Sequence, residues 1–356
     1  MSDILTRRLR AQRLSGEPFA AMRDAVGWMG AVQSQDYPAA KWALALRTGG
    51  LTDAEADRLF DAGEVLRTHL MRPTWHFVLP GDVRWLLELT APRVKVSMRA
   101  RHRQLGIDEA VVRRSHAAIA SALEVGSPLT RTELGGVLER AGVPARGEHV
   151  THLLMLAELD ALIVSGPRRD KQHTYALMDE RAPRARSRQL DRDEALAELA
   201  RRYFTSHGPA QLADYTWWSG LTAAEARRGV ALAGPALAEE AIDGVSFWSA
   251  PGDPPPAAAG PVLHLLPNYD EFLVAYRDRT VALDPRLDTS PLPRNSVLAN
   301  VVLLDGLVRC GWRRRPNGRG VAVELGPLDA AEAAAAERAV RHLERFLGLP
   351  VSIAGR

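Results

Sequence analysis

Gln33, Ser34, Gln35 and Asp36 set two neutral amides beside one carboxylate, and further along the chain His69, Arg72 and His76 fall within a single short stretch. An amide carbonyl accepts hydrogen bonds, and a guanidinium such as that of Arg72 forks onto paired oxygens such as those of a phosphate. His69 and His76 can touch a phosphate or a base, or lie partly buried with their hydrogen bonds met inside the fold. Asp36 can add charge or cap the turn that follows it. The two stretches are expected to face one another and form a nucleotide site.

Other chemistries lack their residues. His69 and His76 have no His-Glu-x-x-His or paired-Cys company, so no metal site is expected. Neither Gly-x-x-x-x-Gly-Lys-Ser/Thr nor Gly-x-Gly-x-x-Gly occurs, so no nucleotide cofactor is expected either. Gly-x-Ser-x-Gly is absent, and Cys310 is the one cysteine, which excludes an intrachain disulfide and fits a reducing compartment. Asp270 and Glu271 are the other concentrated carboxylates; capping a turn after a strand is their expected role, and a hydrolase or transferase built on them is a rival.

The positioning elements follow from periodicity. Apolar residues recur at helical spacing from Phe19 to Val32, with Pro38 expected to stop that helix soon after the amides. Arg67–Val78 reads as a strand pair bent at Arg72-Pro73. Leu-Thr-x-x-Glu occurs at Leu51–Glu55, Leu129–Glu133 and Leu221–Glu225, each a capping box opening a helix that ends near Gly63, Gly142 or Gly234. Strand-like segments follow at 67–78, 161–176 and 241–249. Short helices followed by a hairpin, three times over, describe tandem winged-helix units.

The remaining stretches supply cations. Asp82–Val125 reads as two helices, the first ending in Arg93, Lys95, Arg99, Arg101 and Arg103. A hairpin tip carries Arg168, Arg169 and Lys171, where a wing would reach a phosphate backbone. Leu5–Leu14 is a short basic helix, and Arg181–Arg188 a linker. Trp217 and Trp218 are expected to anchor a core between helices, a base-stacking platform being the other reading. After a Pro-rich loop at 253–260 the pattern turns to strands, with a hairpin at Asp305-Gly306 and a second cationic turn at Arg313, Arg314 and Arg315. A three-stranded meander covered by the helix 329–347 is expected.

Composition sets limits. At 356 residues, 46% hydrophobic and 25% charged, the chain is a folded protein of more than one unit. Lys and Arg outnumber Asp and Glu by only 46 to 43, so a nucleic-acid partner requires the cations to gather on one face. No run of about 18 apolar residues exists. No membrane span is therefore expected; the N-terminus lacks the apolar stretch of a secretory signal, so a cytoplasmic location is expected, and a monomer is the expected state.

The runs Gly30–Asp36, Leu44–Arg47 and Arg67–His76, with Leu265–Glu271 and Tyr276–Arg279, resemble the winged-helix DNA glycosylases of the AlkZ-like family. The resemblance implies an α+β, mainly helical fold: three winged-helix units forming a C-shaped molecule, then a β-rich part closed by a helix. Its expected divisions are 1–80, 81–125 (connecting basic helices), 126–188, 189–250 and 251–356. It implies catalysis by Gln33 and Gln35, which match the family's Gln-x-Gln, with Ser34 where a larger apolar residue is usual. The implied partner is double-stranded DNA carrying alkylated bases, contacted by Asp36, His69, Arg72, His76 and the cations above. No cofactor is implied. The implied reaction is that of a monofunctional glycosylase on N7-alkylguanine-type purines, bulky adducts or interstrand crosslinks, in repair or self-resistance.

The chemistry is coherent. Ordinary N-glycosidic hydrolysis needs an acid for the leaving base and a carboxylate for the cationic sugar. An N7- or N3-alkylated purine is already cationic and leaves unaided, so two amide carbonyls can suffice to hold water and face the sugar cation. The Asp305-Gly306 hairpin is expected to wedge into the duplex. A non-catalytic winged-helix regulator is the alternative.

Overall fold

Helix Met22–Met29 ends at Gly30, whose φ of +79° lies where side chains other than glycine rarely go. In this computed structural model, which describes residues 2–124, 127–252, 261–285, 299–318, 320–326 and 328–354, that early stop decides where the amides sit. The chain leaves the helix before Val32, and Val32–Gln33 becomes a short strand. This corrects the expected helix-to-loop placement of Gln33. Pro38 likewise does not stop a helix. It lies in the first turn of the next one, Tyr37–Ala45, where its missing N–H has no partner to lose. Asp36 caps that helix, its Oδ1 accepting from the Ala39 N–H at 3.1 Å.

Two small sheets share one arrangement. In the first, Val32–Gln33 pairs with Thr74–Val78, which pairs with Leu66–Leu70. In the second, Leu129–Thr130 pairs with Thr174–Leu177, which pairs with Ile163–Ser165. A third region has only the hairpin Ala238–Ile242 with Val245–Ser249. Helices precede each, and Thr52, Thr130 and Thr222 all cap as expected. The reciprocal Glu bond forms at Thr130 and Thr222, whereas Glu55 lies by Arg58.

The C-terminal sheet is larger than the expected meander. Five strands run in the order Val351–Ile353, Gly320–Leu325, Leu307–Asn317, Val301–Leu304, Leu263–Leu266, under the helix Ala330–Leu347. The last strand is parallel to its neighbour and only three residues long, too short for alternation to reveal. The Pro-rich loop at 253–260 lies outside the described residues. Among those described, no helix is long and apolar enough to cross a membrane.

Hydrophobic packing ignores the order of the chain. One core joins Leu9, Trp42, Phe60 and Phe77 to Leu265, Val302 and Phe346. Trp42 leans on Phe346 and donates its indole N–H to the Leu265 carbonyl at 2.7 Å. A second core joins Trp85 of the long helix Val83–Gln104 to Tyr203, Tyr215 and Trp218. Each fully buried large apolar side chain of this kind contributes about 1.5–3 kcal/mol.

Gly220, which closes the helix Leu212–Ser219, marks a close approach. Its φ is +71°, and a Cβ there would stand 2.4 Å from the Met71 carbonyl oxygen. Met71 itself has φ +60° at the turn of the first hairpin, so the helix end is pressed against the turn that carries Arg72. Gly220→Ala is expected to lower stability by roughly 2–4 kcal/mol, combining backbone strain with the clash. Gly50→Ala, at φ +75° with nothing within 4 Å, carries the strain alone. Thermal unfolding of both compares them, and equal losses would remove the close approach as a constraint.

Candidate functional site

Gln33 stands opposite His76 in the first sheet. The Ser34 N–H donates to the Trp75 carbonyl at 2.8 Å, so the ladder bonds flank this pair and leave the Gln33 N–H free of the sheet. Directly opposed residues put their side chains on one face, so Gln33 and His76 share a face. The free Gln33 N–H donates to Glu271 Oε1 at 2.7 Å, and the Gln33 Oε1 accepts from Arg72 Nη2 at 3.0 Å. One lone pair of that carbonyl stays available.

Gln35 is exposed at the start of the following loop, its Oε1 accepting from the Trp75 N–H at 3.4 Å. Arg67 fixes the backbone between the amides. Its Nε and Nη2 donate to the Ser34 carbonyl at 3.0 and 2.9 Å, while its guanidinium lies 4.4 Å from the centre of the Trp75 ring. Ser34 is fully buried, and its hydroxyl has no partner.

Beneath the strand lies Glu271, 1% exposed. Its Oε2 accepts from the Trp218 indole at 3.0 Å, and His207 Nε2 stands 3.5 Å away. Burial alone would raise this carboxyl, but His207 and the Gln33 N–H outweigh burial and hold it below the ordinary glutamate range. Glu271 is therefore a buried anion directly behind the first amide. Asp270 does the expected capping, accepting from the Phe272 N–H, and also receives a bidentate Arg47 at 2.9 and 2.8 Å. Glu271 caps nothing. Sequence reading offered Glu271 only as a turn cap or a rival catalytic carboxylate, because its partners lie 238 and 53 positions away, and it missed Arg67, whose partner Ser34 lies 33 positions away.

The histidines turn inward. His69 Nδ1 meets Glu158 Oε2 at 2.5 Å with both groups buried, so His69 does not face a ligand as the sequence reading allowed. His76 is fully buried. Its Nδ1 lies 3.0 Å from the Thr74 carbonyl, which can only accept, so Nδ1 carries the proton and Nε2 is a lone pair without a partner. Burial, followed by the charge on Arg72, pushes His76 down to about 3. Asp36 gives one oxygen to its helix cap and the other to Asn268 Nδ2 at 3.0 Å.

The basic stretches divide. Arg168 leaves the hairpin tip to clamp Asp57 and Asp61 of the first helical region at 2.7 and 2.8 Å, rather than reaching outward. Arg169 pairs with Glu133 at 2.7 Å. Along the long helix, Lys95 pairs with Asp160 and Arg101 with Glu148, while Arg93 donates to the Gly220 carbonyl at 2.9 Å. Arg99, Arg103, Lys171, Arg313 and Arg314 are exposed. At the Asp305-Gly306 turn Asp305 is exposed, whereas Gly306 packs on the first helix, where a Cβ would stand 2.8 Å from Leu5 Cβ.

A family model described as DNA glycosylase AlkZ-like matches residues 26–346. Among solved structures, the Streptomyces sahachiroi DNA glycosylase AlkZ is similar, with 22% identity, 99% of each chain covered and a TM-score of 0.80. No curated protein matches the sequence.

Two outcomes follow from the buried groups. His76 at about 3, with His173 and His264 at about 4, resist protonation that the unfolded chain accepts near 6.5. Unfolding then takes up protons, so stability is full above pH 6.5 and falls as pH drops toward 3. His76 alone removes about 2 kcal/mol between pH 7 and 5. Denaturant midpoints across that range measure the loss, and a flat profile contradicts it. Ser34→Ala deletes an unpaired buried hydroxyl and is expected to stabilise by roughly 1 kcal/mol. A destabilised Ser34→Ala would mean that the hydroxyl has a partner.

Proposed function

The match across residues 26–346 places this chain in the AlkZ-like DNA glycosylase family, and on that premise we propose that it hydrolyses the N-glycosidic bond of cationic N-alkylated purines in DNA. The substrates are N7-alkylguanine-type lesions, including bulky adducts and interstrand crosslinks, and the enzyme is monofunctional, leaving the backbone intact. The observation that carries the reading is the pair of amides at Gln33 and Gln35, the first backed by the buried anion of Glu271.

The alkylated purine departs as a neutral base, and its positive charge passes to the sugar. Gln33 and Gln35 hold the incoming water through their carbonyl oxygens, and their dipoles face the sugar cation. Glu271 adds a negative potential behind Gln33, while Arg72 fixes the Gln33 carbonyl and takes a phosphate oxygen. No general acid is required, because the leaving group arrives charged. A large adduct is attacked without full extrusion of its base from the duplex.

The two three-stranded sheets and the later hairpin, each preceded by helices, support three winged-helix units at 1–80, 126–188 and 189–250. Residues 81–125 connect the first two, and 251–356 form the β-rich end. These units bound a C-shaped cleft for double-stranded DNA, reached by Arg99, Arg103, Lys171, Arg313 and Arg314. The protein acts as a monomer in the cytoplasm, in repair or self-resistance.

A duplex holding one N7-methylguanine tests the reaction. After incubation and treatment with alkali, the wild type is expected to yield a cut strand, and no cut without alkali. Gln33→Ala and Gln35→Ala should each slow release about 10²-fold, with affinity for undamaged DNA unchanged. No release above the double variant would leave a DNA-binding protein without catalysis.

A further inference from the structure

Trp217 and Trp218 are adjacent in sequence and differ in fate. Trp218 is fully buried, with its indole on Glu271. Trp217 remains 43% exposed, although its Nε1 is anchored to the Val274 carbonyl at 3.1 Å. The expected core role thus holds for one of the pair. An anchored aromatic ring left open to solvent is a fixed platform.

Two guanidinium groups lie against that ring, Arg72 at 5.8 Å and Arg279 at 5.6 Å from its centre. Arg72 binds the Gln33 Oε1, so the platform adjoins the amide pair directly. Arg279 donates its Nε to the Leu273 carbonyl at 2.9 Å, and its Nη2 is enclosed with no partner at all. Among the described residues, neither cation has a carboxylate within 4.0 Å. Two neighbouring guanidinium groups repel one another and gain most from an anion placed between them. The nearby indole offers what a flat ring system stacks on.

We propose that Trp217, Arg72 and Arg279 form a nucleotide-gripping subsite, in which the indole stacks one unstacked base of the damaged duplex and the two guanidinium groups hold its phosphate. This rests on the reading of the chain as an enzyme that works on DNA, and it deepens that reading. The stacked base is a neutral one beside or opposite the lesion. The alkylated purine carries positive charge while still joined to its sugar, and two cations already border the ring. The subsite therefore holds open the gap from which the damaged base leaves, and it selects duplexes whose stacking is already weakened.

The test compares Trp217→Phe with Trp217→Leu on a duplex holding a tetrahydrofuran abasic analogue and on the same duplex undamaged. Both variants keep an apolar side chain, and only Phe keeps an aromatic face. Leu is expected to bind the abasic duplex roughly 5- to 100-fold more weakly, with Phe near the wild type and undamaged binding unchanged. Arg279→Gln should reduce the slope of log affinity against log salt by about one. The subsite is overturned if Leu and Phe bind alike, or if Leu loses as much on undamaged DNA. No bond is cut in this assay, so it stands apart from base release: an inactive protein that still separates Leu from Phe keeps the grip and loses only the reaction.

Discussion

A single carboxylate buried behind a strand holds the site together. Glu271 receives the Gln33 N–H, the Trp218 indole and the approach of His207, groups drawn from two distant parts of the chain. An ionised group at this depth is tolerable only with such partners, because the energy of losing water must be met by donors of good geometry. The dependence runs both ways. The short strand Val32–Gln33 has one neighbour in its sheet, and Glu271 takes the N–H that a second strand would otherwise bind. Position of the amide and ionisation of the acid are therefore one constraint.

Electrostatics around this anion are unbalanced by design of the packing. Arg72 stands at the rim, His76 is held neutral by burial, and Asp270 is neutralised by Arg47. The neutral amide between Glu271 and Arg72 is thus polarised from both sides, through its backbone and its side chain. Ser34, between the two amides, faces the other way into a slot with no partner for its hydroxyl, a polar group in surroundings suited to a methyl.

What could be read from the sequence was local. The capping threonines, the hairpin around Arg72-Pro73 and the run of two amides each depend on residues close in the chain, and the structure keeps them. What could not be read depends on long-range partners. Gly30 ends a helix that periodicity would carry to Val32, because periodicity carries no information on φ. Cations at 93–103 look unopposed until the fold brings up Asp160 and Glu148, and the Arg168 tip looks free until it meets Asp57 and Asp61. Glu271 stands out in the sequence as a carboxylate, but its link to Gln33 does not, because that partner lies 238 positions away.

The Arg168 clamp also bears on mechanics. The second sheet is tied to the first helical region by Arg168 on Asp57 and Asp61 and by Arg181 on the Phe60 and Asp61 carbonyls. Prising them apart would take Arg168 from both carboxylates and Arg181 from its two carbonyls at once; Asp57 would keep Lys41 and Tyr37, which with Arg168 hold it below the usual aspartate range against the pull of burial. Any motion of one region against the other must first break these contacts, so the two are expected to shift as a unit.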